Sequence, residues 1–87
     1  MSQQSLNRSA PTVATRSLEH VRFETLTPRD REVFDKLITG ASNKEAGRQL
    51  GISPRTIEIH RARILDKLGV KNVTELARMA VRIGIHD

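Results

Sequence analysis

Only three residues, Gly51-Ile52-Ser53, separate two stretches patterned as helices. Helices joined so tightly, with a Gly in the joint, must cross steeply, as in a helix-turn-helix. The spacing around the joint agrees. Gly47 is small where the following helix presses on its predecessor, Gly51 supplies a permissive turn four residues later, and Ile57 plugs the joint with Leu50 and Ile52. Any two packed helices with a tight turn share these features, so the joint fixes a crossing and not yet a function.

The rest of the chain is punctuated with similar regularity from Thr27 onward. Thr27-Pro28-Arg29-Asp30 places a capping hydroxyl before a Pro at the first helical position and a carboxylate at the third. Val33, Phe34, Leu37 and Ile38 then form one apolar stripe that Gly40 ends. Ser42-Asn43-Lys44-Glu45 is a capping box opening a short helix that stops at Gly51. Ser53-Pro54 opens the next, closed by Gly69, and Asn72-Val73-Thr74-Glu75 starts a last one that reaches about Ile83. No alternating apolar run suggests a strand. The sequence therefore predicts an all-α domain of four helices over residues 26–87. Residues 1–25, rich in Ser, Gln, Thr and Arg, cannot bury enough surface to offset ordering and read as a flexible tail, with a short helix at 17–23.

Composition excludes several classes. Eighty-seven residues hold one domain, and two Phe with no Tyr or Trp keep its core small. There is no cysteine, hence no disulfide and no thiolate metal site. No apolar run is long enough for a membrane span, and the N-terminus has no apolar signal core, so a cytoplasmic protein without a membrane partner is expected. His20, His60 and His86 are scattered with no acidic partner at ligand spacing, Ser53 is explained as a cap, Met79 as core, and no Gly-rich phosphate loop occurs. No catalytic residue, metal or cofactor is expected. The net charge is +5, and residues 26–87 carry 12 basic against 8 acidic side chains, which points to a polyanionic partner. RNA is disfavoured, because sequence-specific RNA modules stack bases on aromatic rings and only Phe23 and Phe34 are present.

Helix 54–68 narrows the choice. At about 100° per residue, Ile57, Arg61, Ile64 and Leu68 share one sector, flanked by Leu65 and His60, while Arg55, Glu58, Ile59, Ala62, Arg63 and Asp66 occupy the opposite one. Ile59 is a β-branched residue among charges. Single exposed apolar residues are common, but here Arg55 and Arg63 flank Ile59 and Ala62 where phosphates would lie beside a major groove. Ile59 would there meet a thymine methyl, and Ala62 would permit close approach.

Leu26-Thr27-Pro28-Arg29-Asp30-Arg31-Glu32-Val33, Asn43-Lys44-Glu45 and Gly51-Ile52-Ser53-Pro54-Arg55-Thr56-Ile57-Glu58-Ile59-His60-Arg61-Ala62 resemble the LuxR-type helix-turn-helix, in the branch of FixJ-like response regulators. The resemblance covers about residues 26–84 and implies a dimeric regulator of transcription on double-stranded DNA. It matches Glu58, Ile59 and Ala62 to base-facing positions and Lys44, Arg55, Thr56, His60 and Arg63 to phosphate-facing ones. RNA polymerase or a full-length regulator are the protein partners it leaves open. Two departures stand out. Ala46-Gly47 replaces the usual large aliphatic and Ala, which thins the core and weakens helix 43–50 by about 1 kcal/mol. Only a polar tail precedes the module where a sensor or receiver domain is usual, so an excised fragment or a stand-alone regulator is expected, and the Met1-Ser2 start leans to the second.

In the last helix, Val73, Leu76, Ala77, Met79, Ala80, Val81 and Ile83 cover about 200° of the wheel, more than docking on a core requires. Leu76, Ala80 and Ile83 suffice to dock it. Val73, Ala77 and Val81 are left as a candidate dimer stripe. A sigma-factor domain would lack a comparable helix after the recognition helix. A module that sequesters a full-length regulator through helix 73–83, without DNA, is the alternative function.

Overall fold

The computed structural model describes residues 17–85; residues 1–16, most of the expected flexible tail, and His86 lie outside the described residues. Among the described residues five helices follow one another: α1 (Leu18–Phe23), α2 (Pro28–Ile38), α3 (Asn43–Leu50), α4 (Pro54–Leu68) and α5 (Val73–Arg82). No strand occurs among the described residues. The four helices expected in the domain are α2 to α5, and the expected short helix is α1.

Each boundary follows from local chemistry. Thr27 and Asp30 close a reciprocal box on α2, with Asp30 N–H donating to Thr27 Oγ1 at 3.0 Å and Thr27 N–H to Asp30 Oδ2 at 3.2 Å. Ser42 and Glu45 do the same for α3, at 3.1 and 2.9 Å. Ser53 caps α4 by accepting from Thr56 N–H. At α5 Asn72 accepts from Glu75 N–H at 2.9 Å, but the Glu75 carboxylate takes the amide of Lys71, one residue before the cap, instead of completing the box.

A six-residue helix does not hold its shape alone in water, so α1 owes its order to docking. Ser17 caps it, the Phe23 ring meets Phe34 edge-on with centroids 5.1 Å apart, and the Arg31 guanidinium lies 4.8 Å above the Phe23 ring. Glu19 pairs with Arg82 at the far end of α5, with Nε 3.3 Å from Oε1. Residues 17–25 therefore pack on the domain instead of belonging to a free tail.

The core is built from Val33, Phe34 and Leu37 of α2, Ile57, Ile64 and Leu68 of α4, and Leu76, Met79 and Ala80 of α5 with Ile83 just after it, and has Leu26 and Ala46 at its edges. Docking here thus uses Leu76, Ala80 and Ile83 as expected, with Met79 in the core as the sequence also places it. Helix α3 runs unbroken through Ala46 and Gly47, both buried. A Cβ on Gly47 would lie 2.5 Å from the Ile52 carbonyl oxygen and 3.3 Å from Pro54 N. Gly47 is thus the point where the backbone of the turn rests on α3. The same turn is tied there by Ile52 N–H donating to Gly47 O at 2.9 Å. Gly51, at φ 73°, adopts the left-handed conformation that ends α3.

Candidate nucleic-acid interface

The burial of α4 divides it as the wheel does. Ile57, Ile64 and Leu68 are buried, and Arg55, Glu58, Ile59, Ala62 and Arg63 are exposed on the other side, Ile59 at 49%. From Arg55 to Arg63 is about 12 Å along the axis at 1.5 Å per residue, comparable to the width of a B-DNA major groove. Arg55 and Glu58 form an ion pair at 3.3 Å with both side chains more than half exposed. Such a pair is worth at most about 1 kcal/mol, so either partner is available to a ligand.

The eight candidate contact residues are not equivalent. Lys44, in the first turn of α3, is exposed. Thr56 is half-buried, and its hydroxyl lies 2.9 Å from the Ser53 hydroxyl, which leaves it further hydrogen-bonding capacity. Arg63 has a half-exposed side chain with Nη1 3.8 Å from Asp30 Oδ1. His60 stands apart from the other phosphate candidates. Its side chain is only 14% exposed, and Nδ1 lies 2.8 Å from Asp30 Oδ1.

Asp30 is the residue that the sequence reading took only as a cap. It is fully buried, and beyond Thr27 and His60 it accepts from Lys67 Nζ at 3.1 Å. Burial by itself pushes this carboxyl up, but the hydrogen bonds from His60, Lys67 and Thr27 outweigh it and hold the group at about 2. An ionised carboxylate only accepts, so Nδ1 of His60 donates. In the neutral ring Nε2 then carries a lone pair, and phosphate oxygens are acceptors too. His60 is built first to hold α4, and it serves a phosphate only with a proton on Nε2. The available signal was the basic ridge His60, Arg63 and Lys67, which recur at helical spacing along one edge of α4.

On α5, Val81 is 67% exposed, while Val73 and Ala77 of the same stripe are half-buried. Among the described residues no cluster of His, Asp and Glu is arranged to hold a metal ion, and no helix is long and apolar enough to cross a membrane.

Residues 24–80 match the family described as bacterial regulatory proteins, luxR family. The transcriptional regulatory protein FixJ of Bradyrhizobium diazoefficiens is 45% identical over 64 residues, which are 74% of this chain and 31% of that protein. The transcriptional regulatory protein UhpA of Escherichia coli K12 is 49% identical over 57 residues, 66% of this chain and 29% of the relative. The crystal structure of full-length FixJ from B. japonicum superposes with a TM-score of 0.71 at 43% identity, covering 77% of this chain and 33% of that one. The chain thus spans about a third of the length of the relatives it matches.

Proposed function

Because the chain belongs to the luxR family of bacterial regulatory proteins, we propose that it binds double-stranded DNA and regulates transcription, with α4 read into the major groove. The observation that carries this reading is the outer face of α4, where half-exposed Ile59 and small Ala62 lie between Arg55 and Arg63. Lys44, Arg55, Thr56 and Arg63 take phosphates, aided by the first-turn amides of α3 that the Ser42 cap leaves free. His60 joins them only where Nε2 carries a hydrogen to donate. Ile59 and Ala62 meet base edges by apolar contact, and Glu58 accepts from a cytosine amino group. The carboxylate is repelled by the backbone and therefore adds discrimination more than affinity.

Two copies pair through Val73, Ala77 and Val81 of α5. A self-complementary stripe of this kind gives a two-fold pair whose α4 helices read half-sites about one DNA turn apart. The stripe is small, so pairing is completed on DNA. The protein acts in the cytoplasm, with RNA polymerase or a full-length regulator as a further partner.

Selection from random-sequence duplex DNA, followed by anisotropy at several salt concentrations, tests the reading. The expected result is a symmetric site bound with a salt slope that falls by about one when Lys44, Arg55 or Arg63 is replaced singly. Enrichment of no sequence, together with capture of a full-length regulator through α5, would establish the sequestering module instead.

A further inference from the structure

Three side chains of α4, spread over two helical turns, converge on one buried carboxylate of α2. Asp30 Oδ1 takes His60 Nδ1 at 2.8 Å and has Arg63 Nη1 at 3.8 Å, while Oδ2 takes Lys67 Nζ at 3.1 Å. The other contacts between α4 and the core, through Ile57, Ile64 and Leu68, are apolar. Apolar packing attracts without direction, and a helix held by it alone tolerates small rotations and axial shifts. Hydrogen bonds to a fixed acceptor do not.

Asp30 is itself fixed. Its Oδ2 accepts from Thr27 N–H in the capping box, so its position is locked to the first turn of α2. The ridge it binds borders the outward face of α4, and Arg63 belongs to both: its guanidinium is near Asp30 on one side and half exposed on the other. Lys67, the last member of the ridge, also donates to the Thr25 carbonyl at 3.2 Å, which ties the same helix to the segment leading into α2.

We propose that Asp30 is a positioning residue for base reading: by holding His60, Arg63 and Lys67 it sets the rotation and axial register at which Ile59, Ala62 and Arg63 meet the groove. The proposal rests on the DNA-binding reading above. It separates two properties that a general folding role would move together. Affinity for any DNA depends on the number of exposed cations, which removal of Asp30 does not lower. Discrimination between sequences depends on ångström placement of α4 against the base edges, which removal of Asp30 loosens.

The test compares the wild-type protein with Asp30→Asn, in which an amide that donates faces the Lys67 ammonium. Binding to the selected site and to a scrambled duplex is measured by anisotropy below the melting temperature of each protein and referred to its folded fraction. The expected result is a fall of at least about tenfold in the ratio of specific to non-specific affinity, with non-specific affinity unchanged or raised, and recovery to within about threefold in Asp30→Glu. Amide exchange without DNA is expected to show α4 losing more protection than α5. A folded Asp30→Asn protein with wild-type discrimination overturns the proposal, as does a loss of specific and non-specific binding in equal proportion. Should Asp30→Asn not fold, Lys67→Met removes one of the three ties while keeping the core, and unchanged discrimination there overturns it equally. Failure of the wild-type protein to select any DNA refutes the DNA-binding reading, whereas altered α4 exchange in the variant is read independently of DNA.

Discussion

Gly47→Ala sets two effects of known size against each other. Helix propensity favours Ala by about 1 kcal/mol at an interior position, and Gly47 lies well inside α3. Propensity alone therefore predicts a more stable protein. The structure predicts the reverse, because the new Cβ would sit 2.5 Å from the carbonyl oxygen of Ile52, closer than such atoms approach. That oxygen belongs to the backbone of the turn, and no rotamer change moves it aside. The turn is also held by Ile52 N–H on Gly47 O, so relief requires lengthening that bond or displacing the start of α4. Overpacking of this kind costs about 1–3 kcal/mol, and a strained hydrogen bond adds roughly 0.5–1 kcal/mol. After subtraction of the propensity gain the net expectation is a loss of about 0.5–3 kcal/mol, or a Tm lower by about 4–8 °C for each kcal/mol lost in a domain of this size. Urea and thermal unfolding followed by circular dichroism at 222 nm measure it directly. Since the displaced element is α4, specific DNA affinity is expected to fall with stability. A Gly47→Ala protein more stable than wild type by about 1 kcal/mol would refute the reasoning and show that the joint yields to a methyl group.

The Asp30 carboxyl is held at about 2, below its ordinary 3.8, so the folded state favours its ionised form. Its contribution, on the order of 2 kcal/mol, is complete above about pH 5 and is lost as pH falls through 4 toward 2; urea unfolding at pH 5 and pH 3 reads about half of it, and an equal pH dependence in Asp30→Asn would count against it. Phe23→Ala removes the edge-on contact with Phe34 and the face under Arg31, costing roughly 1.5–3 kcal/mol for a half-buried ring and exposing Arg22 to trypsin; unchanged Tm and cleavage would mean that α1 is held by Glu19 and Arg82 instead. Glu58→Ala is expected to change stability by less than about 0.5 kcal/mol while relaxing base preference at one step; loss of binding to every sequence would assign Glu58 to the fold. Val81→Glu, at a position 67% exposed, is expected to keep the helical signal yet abolish cooperative filling of two half-sites, and cooperative filling that survives would place the dimer contact elsewhere.

Helix ends and the outward face of α4 were legible because both are local properties. Ser42 and Glu45, Thr27 and Asp30, and Ser53 and Thr56 act across three residues, and the exposed set around Ile59 follows from the pitch of a helix. On the wheel His60 flanks the core sector, and its phosphate-facing assignment came from the resemblance and not from the pitch of the helix. Its partner came from another helix, which turned the ring inward.

The sequence by itself determined α2 to α5 with their caps, the expectation of a short helix at α1, the turn at Gly51, and which side of α4 faces outward. Only the tertiary structure decided that residues 17–25 dock, through Phe23 on Phe34 and Glu19 on Arg82, 63 positions away. The sequence already made Gly47 the small residue under the next helix, but the tertiary structure alone gave the atom it meets, the Ile52 carbonyl oxygen 2.5 Å from where a Cβ would sit. The tertiary structure also gathered His60 and Lys67, 30 and 37 residues distant, around Asp30. The physical reason is one of range. Caps, turns and periodicity are written within a few residues of the chain, whereas a buried charge is tolerable only where folding delivers its partners, and no short window of sequence names them.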